Sequence, residues 1–354
     1  MPGDGLTLTK RLRAQGLSGP KARSPETVVE RLLAVQAQDM RGARLGLRPR
    51  STGVSSKDMD HALTASRALL VTWLNRGTLH LVTADDYWWL SPLTTPQLVA
   101  GNSRRLRQEG LAPHETDRGV AVVLAAIAAR GPLTRAELRD ELARAAVPTA
   151  GQALVHLLVA ATLRGGLVRG PLRNGEHCFI TATQWLGPAP GQLDRPEALA
   201  RLARRYLVGH GPASAADLAK WAGIRLADAR AGLERIRDET KSETNEMVDL
   251  VGRPSARDLP PPRLLGPFDP LLHGWASRDF VLADHHSIIT TNGLFRPFAL
   301  VRGRAVATWG LANGRVMVHP LEPIAHEDLD ELRADADRVL AYLGLPPTPA
   351  VVTT

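Results

Sequence analysis

The spacing of apolar residues near the amino terminus predicts a first helix. The apolar positions of 28–35 fall on one side of a helix that begins at Ser24-Pro25, with proline at its first position. Two further helices, a turn and a strand are predicted after it, at residues 59–65, 67–74, 75–77 and 78–82. Residues 1–110 thus predict three helices followed by a strand.

A short sequence motif occurs twice in the middle of the chain. GPLTRAEL at 131–138 and GPASAADL at 211–218 each begin with Gly-Pro, which ends a preceding helix. Thr134 or Ser214 can then cap the next helix, while the acidic residue three positions later returns the capping hydrogen bond. Each copy therefore predicts the start of the second helix in a repeated unit.

Helices and a hairpin surround each copy. Amphipathic helices precede the copies and a third helix follows each, with the clearest at 120–129, 199–208 and 226–238. The first copy continues to Asn174-Gly175, a strong turn signal between short strands, and a weaker hairpin is expected at 247–251. Three helices followed by a hairpin predict a winged helix, and residues 1–110 are interpreted as a third, divergent unit.

Beyond residue 263 the apolar spacing changes to period two. Short strands are predicted at 280–283, 287–291, 298–301, 305–309 and 316–319. Arg302-Gly303 and Asn313-Gly314 are two-residue hairpin signals between them, and an apolar stripe over 328–343 predicts a terminal helix. This segment predicts a small antiparallel β-barrel or sheet with a C-terminal helix packed on it.

The elements together predict an α+β fold of four domains. Three tandem winged-helix units are followed by the β-barrel-like domain with its helix, at residues 1–112, 113–190, 191–262 and 263–354. A composition of 44% hydrophobic and 23% charged residues is ordinary for folded proteins, so disorder is not expected. The single cysteine, Cys178, excludes an internal disulfide and a cysteine zinc cluster, and it is expected to be a small buried hydrophobe.

The charge distribution and the absence of targeting signals limit the classes of partner that we expect. The net charge is +8, and residues 1–110 hold 16 basic against nine acidic side chains, whereas 264–354 hold seven against ten. A polyanion is the natural partner of such a positive field. The predicted third helix at 150–163 contains no Lys or Arg, so sequence-specific base recognition has little support. The chain lacks a long apolar run and an apolar amino-terminal stretch, which predicts a cytoplasmic protein without membrane partners.

Two amides and a carboxylate follow the first helix in LLAVQAQDM. Gln36 lies three and four residues after Leu33 and Leu32, on the buried face. A buried amide without partners costs about 1–3 kcal/mol, so the position indicates a hydrogen-bonded site or a partly open cavity. Gln38 joins that face only if the backbone becomes extended, so the helix is expected to end here. Alternatively, both glutamines cap the helix end and hold the following loop.

Other polar residues are candidates for supporting roles. Arg76, Thr78 and His80 alternate with leucines, which places the three on one side of the predicted strand. A lone histidine there is either a hydrogen-bonding group or an accessory to catalysis. Asp39 is the carboxylate nearest to the glutamines in the chain and is a second candidate accessory.

Six blocks occur along nearly the whole chain: LLAVQAQD, TWLNRGTLHLV, ARGPLTRAELRDEL, GPASAADLAKWAG, GPFDPLLHGWASRDFVL and FRPFALVRGRAVATWG. In this order they resemble the AlkZ-type DNA glycosylases, a bacterial superfamily. The resemblance implies three tandem winged helices, a carboxy-terminal β-barrel and DNA held in a concave face. The family signature is glutamine, any residue, then glutamine or aspartate. Gln36-Ala37-Gln38 matches it, which implies a catalytic role for Gln36 and Gln38.

The resemblance further implies removal of alkylated purines, including bulky adducts and antibiotic interstrand crosslinks, as repair or self-resistance. Two amides suit such a substrate. An N7-alkylated purine is already positively charged and leaves as a neutral base, so no strong base is required. Amide oxygens can hold the attacking water and stabilise the developing oxocarbenium ion. Neither glutamine can take up a proton, so undamaged, neutral or oxidised bases would be poor substrates.

Cofactors and covalent catalysis are not expected. A bifunctional lyase needs an amine nucleophile, and none of the five lysines lies beside the glutamines in sequence, so a monofunctional enzyme is predicted. Asp284-His285-His286 is interpreted as a turn and not as a metal site. The sequence contains no Gly-rich phosphate loop and no Gly-x-Ser-x-Gly elbow. We expect a monomer that uses no metal or cofactor and acts on the bacterial nucleoid.

Double-stranded DNA with alkyl lesions is the expected partner. The candidates for groove and phosphate contacts are Arg76, Thr78, Arg104, Arg105 and Arg107, although such residues could equally be solvated surface. Two other functions stay open from the residues alone. One is a non-catalytic winged-helix DNA-binding protein or regulator, and the other is a protein–protein scaffold.

Overall fold

The computed structural model describes residues 2–191, 193–244, 246–255 and 258–353. Its helices are α1 (Pro2–Ala14), α2 (Pro25–Leu32), α3 (Met40–Leu47), α4 (Ser56–Thr64), α5 (Ala84–Thr94), α6 (Leu98–Gln108), α7 (Pro113–Arg130), α8 (Arg135–Arg144), α9 (Ala153–Gly165), α10 (Ala182–Leu186), α11 (Arg195–His210), α12 (Ala215–Ala222), α13 (Leu226–Arg235), α14 (Asp279–Leu282) and α15 (His326–Leu343). Its strands are β1 (Val35–Gln36), β2 (Leu69–Leu74), β3 (Thr78–Thr83), β4 (Leu167–Arg173), β5 (Glu176–Thr181), β6 (Thr240–Ser242), β7 (Val248–Leu250), β8 (Arg263–Leu265), β9 (Phe298–Val301), β10 (Arg304–Ala312), β11 (Arg315–Pro320) and β12 (Val351–Val352). No helix within these ranges has both the length and the apolar character that a membrane span needs.

The fold is α+β, and the chain forms two compact units. One comprises Met1–Met59 with Leu199–Thr354, and the other comprises Asp60–Ala198. We call them the terminal unit and the middle unit.

In the middle unit, two antiparallel hairpins share one sheet in the strand order β3-β2-β4-β5. The β4–β5 hairpin turns at Asn174-Gly175, and the capping box of Thr134 and Glu137 begins α8, both as predicted. Helix α7 packs against α8 and α9, so three helices precede the hairpin. Cys178 is buried on β5, as expected.

The predicted helix at 67–74 is wrong, because this segment forms strand β2. All six residues of LLVTWL are buried, and β2 pairs with β3 on one side and with β4 on the other. A strand with neighbours on both sides and both faces covered shows no alternation of apolar and polar residues, so its sequence is indistinguishable from a buried helix.

In the terminal unit, the second copy of the repeated motif, at residues 211–218, is also followed by the predicted elements. Ser214 and Asp217 form a capping box at the start of α12, and α13 follows. The weak hairpin signal is confirmed by β6 and β7, which pair antiparallel from Thr240↔Leu250 to Ser242↔Val248.

The carboxy-terminal strands form an open sheet in the order β12-β11-β10-β9-β8. Arg302-Gly303 and Asn313-Gly314 lie at the β9–β10 and β10–β11 turns, as predicted. Helix α15 buries an apolar stripe that includes Leu332, Val339 and Leu340 in one cluster with residues of this sheet. Among the described residues the strand order ends at β12 and β8, so the barrel alternative is wrong and the sheet alternative is confirmed. Strands β8 to β11 pair antiparallel as predicted, whereas β12 pairs parallel with β11.

Two of the predicted carboxy-terminal strands are wrong. The segment 280–283 lies mainly in the short helix α14, and 287–291 overlaps a 3-10 turn at His286–Ile288. Both runs are only four or five residues long, too short for apolar spacing to separate a helical turn from a strand. Ser277 Oγ accepts a hydrogen bond from Asp279 N, which favours the helical start.

Two buried ion pairs join the amino-terminal helices of the terminal unit to its carboxy-terminal half. Arg50 donates to both carboxylate oxygens of Asp269 at 2.9 and 2.7 Å, and Arg48 donates to both oxygens of Asp335 at 2.9 and 2.7 Å. Each acid is fully buried. These pairs position α3 and hence the polypeptide that precedes it.

The stability of the protein is expected to fall as the pH drops below about 6.5, because His210 is buried without charge. Its ring stacks on Tyr206 with centroids 4.7 Å apart, and burial lowers its pKa to about 3. The unfolded chain takes up a proton near pH 6.5, whereas the folded protein takes it up near 3. Between these values stability falls with decreasing pH by about 1.4 kcal/mol per pH unit for each such histidine.

Urea unfolding between pH 7.5 and about 4 measures this slope. We expect His210→Phe to reduce the slope by one proton. His326→Gln is the control, because the His326 side chain is 85% exposed, and its slope should equal that of the unsubstituted protein. Equal slopes for all three proteins would contradict the assignment.

Candidate active site

A break in the backbone places the two glutamines side by side. Helix α2 ends at Leu32, and Leu33 adopts φ 65° and ψ −45°, after which Val35–Gln36 is extended. Residues two apart on extended backbone point to the same side. Gln36 Nε2 accordingly donates to Gln38 Oε1 at 2.8 Å, which confirms that both amides share one face.

The two amides differ in exposure. Gln36 is 6% exposed and Gln38 is exposed. Within the described residues Gln36 Oε1 has no hydrogen-bond partner, and neither amide bonds to the backbone at a helix end. The capping alternative is therefore wrong. A largely buried acceptor beside an exposed amide is suited to hold a water or a polar substrate atom.

Asp39 has a defined structural contact. It is the N-cap of α3, and its Oδ1 accepts a hydrogen bond from Arg41 N at 2.9 Å. Helix α3 packs closely on the loop before β9, because a Cβ at Gly42 would lie only 2.5 Å from Pro267 O. Asp39 thus fixes the start of a tightly packed helix, and its suggested accessory role in catalysis stays a prediction.

The hairpin of β2 and β3 in the middle unit carries Arg76, Thr78 and His80. Arg76 is exposed at the turn, where Asn75 has φ 53°. The register pairs Thr72 with His80 and Leu74 with Thr78, so Thr72, Thr78 and His80 lie on one face of the hairpin. A Cβ at Gly77 would lie 3.4 Å from Leu98, so the turn packs near the start of α6.

His80 is a neutral group in the folded protein. It is 3% exposed, and burial together with the charge of Arg76 lowers its pKa to about 3. Its Nδ1 lies 2.9 Å from Thr78 O, and because a carbonyl only accepts, Nδ1 carries the proton. His80 can therefore accept a hydrogen bond through Nε2, but it is too weakly basic for general base catalysis near pH 7.

Two polar residues on this hairpin, Thr72 and Asn75, were not predicted as site residues from the sequence. Thr72 Oγ1, Thr78 Oγ1 and the Asn75 side-chain amide are buried and have no hydrogen-bond partner in the described part of the chain. Buried polar atoms of this kind are usually satisfied by ordered water or by a ligand. The threonine inside the apolar run LLVTWL is the one signal that could have indicated this face.

The predicted basic run lies on α6 of the middle unit. Arg104, Arg105 and Arg107 are all exposed, whereas Asn102 and Leu106 face inward. Asn102 Nδ2 donates to the backbone oxygen of His156 at 3.0 Å, which attaches α6 to α9. The three guanidinium groups are thus displayed on a fixed helix, close in the fold to the turn that holds Arg76.

Comparisons with known proteins show the family and the fold. A family model described as DNA glycosylase AlkZ-like matches residues 29–342. The chain is similar to an interstrand DNA cross-link repair glycosylase of Streptomyces sahachiroi, with 26% identity over 373 aligned residues that cover 95% of each protein. It is also similar to the solved structure of the DNA glycosylase AlkZ of Streptomyces sahachiroi, with a TM-score of 0.79, 24% identity and coverage of 99% of each chain.

Proposed function

Because the chain belongs to the AlkZ-like family of DNA glycosylases, we propose that it hydrolyses the N-glycosidic bond of N7-alkylated purines in double-stranded DNA. Bulky and crosslinked adducts are part of the proposed substrate class. The name of the Streptomyces sahachiroi relative, an interstrand DNA cross-link repair glycosylase, supports that range. The proposed role is repair, or self-resistance to a genotoxic metabolite.

The pair of Gln36 and Gln38 carries this proposal. Their 2.8 Å hydrogen bond fixes both amides and leaves Gln36 Oε1 as an acceptor. We propose that this oxygen and Gln38 Oε1 hold the attacking water, with both dipoles directed at the positive charge that develops on the sugar. An alkylated base that leaves as a neutral group requires no proton from the enzyme. The attacking water releases its proton to solvent after its oxygen bonds to the anomeric carbon of the sugar. Two groups without acid–base chemistry therefore suffice.

We further propose that the enzyme is monofunctional. Lys21 is the lysine whose amine would be available at neutral pH, because burial and neighbouring arginines lower its pKa to about 7. Its Nζ, however, donates to Gly16 O at 2.8 Å and to Leu17 O at 2.7 Å, so it is held against backbone. Lys10 and Lys241 lie near Glu243, at 2.7 and 3.8 Å. These contacts argue against a Schiff-base nucleophile at Lys10, Lys21 or Lys241.

The remaining assignments are proposals of the same kind. We propose winged helices at 1–112, 113–190 and 191–262, followed by the sheet domain, in a monomer that works in the bacterial cytoplasm. Exposed guanidinium groups on the β2–β3 turn and on α6 would contact DNA phosphates and grooves, with Thr78 beside them, at Arg76, Arg104, Arg105 and Arg107. His80 and Asp39 would support the site without reacting.

Base release from defined duplexes tests the function. We expect the purified protein to release the base from DNA that contains an N7-alkylguanine, and to act on uracil or 8-oxoguanine more slowly by roughly 10²–10⁴-fold, the contribution of the general acid that the glutamines cannot supply. A panel of methyl adducts, bulky monoadducts and crosslinks, followed by chromatography of the free base, measures this.

Two controls complete the assay. A Gln36→Ala preparation, purified identically, reports any contaminating glycosylase, and borohydride should trap no protein–DNA adduct if the enzyme is monofunctional. If no alkylated base is released although the duplex is bound, the non-catalytic DNA-binding alternative replaces the enzyme.

A further inference from the structure

A basic cleft of about 490 Å³ lies in the terminal unit, and its lining includes neither Gln36 nor Gln38. Its walls are α2, α11 and the segment after β7, and its charged lining residues are Glu30, Arg31, Arg205 and Arg253. Three guanidinium groups thus face a single carboxylate. We call this the Arg31 cleft.

Two of these arginines are held in place by the protein itself. Arg253 Nε donates to Asp249 Oδ1 at 2.8 Å, and its other nitrogens donate to the backbone oxygens of Val208 and Leu207. Arg205 Nη2 donates to Glu30 O at 2.8 Å. The walls of the cleft are therefore organised before any ligand arrives.

Arg31 is different, because it has no hydrogen bond or ion pair to any described residue. Its stem lies against Gly16, where a Cβ would be 3.4 Å from Arg31 Cδ, so the side chain is half-buried. Burial and the like charges of Arg253 and Arg13 lower its pKa, and no acidic neighbour opposes them. A partly desolvated cation among cations is unfavourable unless an anion joins it.

The positive surface continues beyond this cleft. A second cleft of about 300 Å³ shares Arg253 and Pro254 with the first, and its other charged lining residues are Lys10, Lys241 and Asp249. Asp249 pairs with Arg253, and Lys10 pairs with Glu243. Two adjoining basic clefts suit a ligand with regularly repeated negative charges better than a single small anion.

We propose that the Arg31 cleft binds a phosphate group, and that the backbone of a DNA strand supplies it. The choice of DNA as the source rests on the proposed function, whereas the phosphate site rests on the cleft alone. The contact carries no sequence information, so it would set the position and affinity of the duplex and not the choice of lesion.

The test compares Arg31→Ala with Arg230→Ala, which removes the same charge from an exposed position on α13. Binding to an undamaged duplex is measured over salt concentrations of about 50 to 200 mM. We expect Arg31→Ala to weaken binding about tenfold at low salt and to reduce the slope of log K against log salt by about 0.9, the value for one phosphate contact. Arg230→Ala should change neither.

Two further measurements separate the outcomes. Thermal unfolding in chloride should show Arg31→Ala to be close in stability to the unsubstituted protein, since the relief of like-charge repulsion offsets the lost packing of the Arg31 stem against Gly16. Thermal unfolding in inorganic phosphate at equal ionic strength tests the other source. If phosphate stabilises only proteins that retain Arg31 while DNA binding is equal in all, the site takes a small phosphate and DNA as its source is overturned. If neither ligand distinguishes Arg31→Ala from Arg230→Ala, the site itself is overturned.

This result is independent of catalysis, because the duplex is undamaged. A protein that releases no base could still lose one phosphate contact with Arg31→Ala. Conversely, an active enzyme with an unchanged salt slope would retain the proposed function and lose the phosphate site.

Discussion

Replacing Gln36 by alanine is expected to lower the rate of base release from N7-alkylguanine DNA by about 10²–10³-fold, the usual loss when one preorganised dipole is removed from a transition state. The substitution removes the acceptor Oε1 and the hydrogen bond that fixes Gln38. Affinity for the damaged duplex should change less than about threefold, since a single small amide contributes little to a large polar interface. Single-turnover rates at saturating enzyme, together with equilibrium binding, measure the two quantities separately.

Gln38→Ala is expected to act in the same way, and the double variant should be little slower than the worse single one. The two amides form one hydrogen-bonded unit, so losing either disables the shared arrangement. Additive losses in the double variant would show that the glutamines act independently and would contradict the paired site.

A stability control separates catalysis from folding. Ser214→Ala removes the side-chain cap of α12 in the same unit, which costs about 1 kcal/mol of stability but touches neither glutamine. We expect a lower melting temperature with unchanged turnover for Ser214→Ala, and the reverse for the glutamine variants. If Gln36→Ala melts early and still turns over, the pair is structural.

The pairing of the glutamines was predictable because it depends on local rules. The apolar spacing of α2 identifies the buried face, and the two-residue separation of Gln36 and Gln38 requires extended backbone for both to share it. The helix does end at Leu32, with Leu33 at a positive φ. The positive φ of a leucine has no sequence signal, since such a residue adopts it only under tertiary constraint.

The hairpin β2–β3 shows where local rules fail. Its first strand was predicted as a helix because both of its faces are buried, so its sequence shows no alternation of apolar and polar residues. Its pairing with β4, nearly 100 residues later, has no local sequence signal. The polar face of Thr72, Thr78 and His80 depends on the register between β2 and β3. The sequence indicated the second and third of these residues but not the first.

The Arg31 cleft and the buried ion pairs could not be predicted from the sequence, because they too depend on contacts between residues that are far apart in the chain. Arg31 meets Arg205 and Arg253 only when segments that are 174 and 222 residues apart in sequence come together. Charged residues inside a folded protein look like solvated surface until their partners are known, because spacing along the chain does not separate an exposed arginine from a buried one.

The second large effect concerns the buried pair of Arg50 and Asp269. All five guanidinium hydrogens of Arg50 are used: Nε donates to Gln15 O, Nη1 to Gly46 O and Asp269 Oδ2, and Nη2 to Gln15 Oε1 and Asp269 Oδ1. Arg50 is 2% exposed and Asp269 is fully buried. Arg50→Met is therefore expected to destabilise the protein by about 3–5 kcal/mol, because it leaves a buried carboxylate without its counter-ion.

Thermal unfolding should show this as a fall of roughly 6–20 °C in melting temperature. Arg333→Met is the matched control, since Arg333 pairs with Asp330 at 2.7 Å but is 46% exposed, and surface pairs contribute less than about 1 kcal/mol. The double variant Arg50→Met with Asp269→Leu removes both charges and should recover much of the loss, because the cost lies in the unpaired carboxylate. If the double variant is instead as unstable as Arg50→Met, the lost stability comes from the hydrogen bonds of Arg50 to Gln15 and Gly46. The neutralisation of Asp269 is in that case not its source.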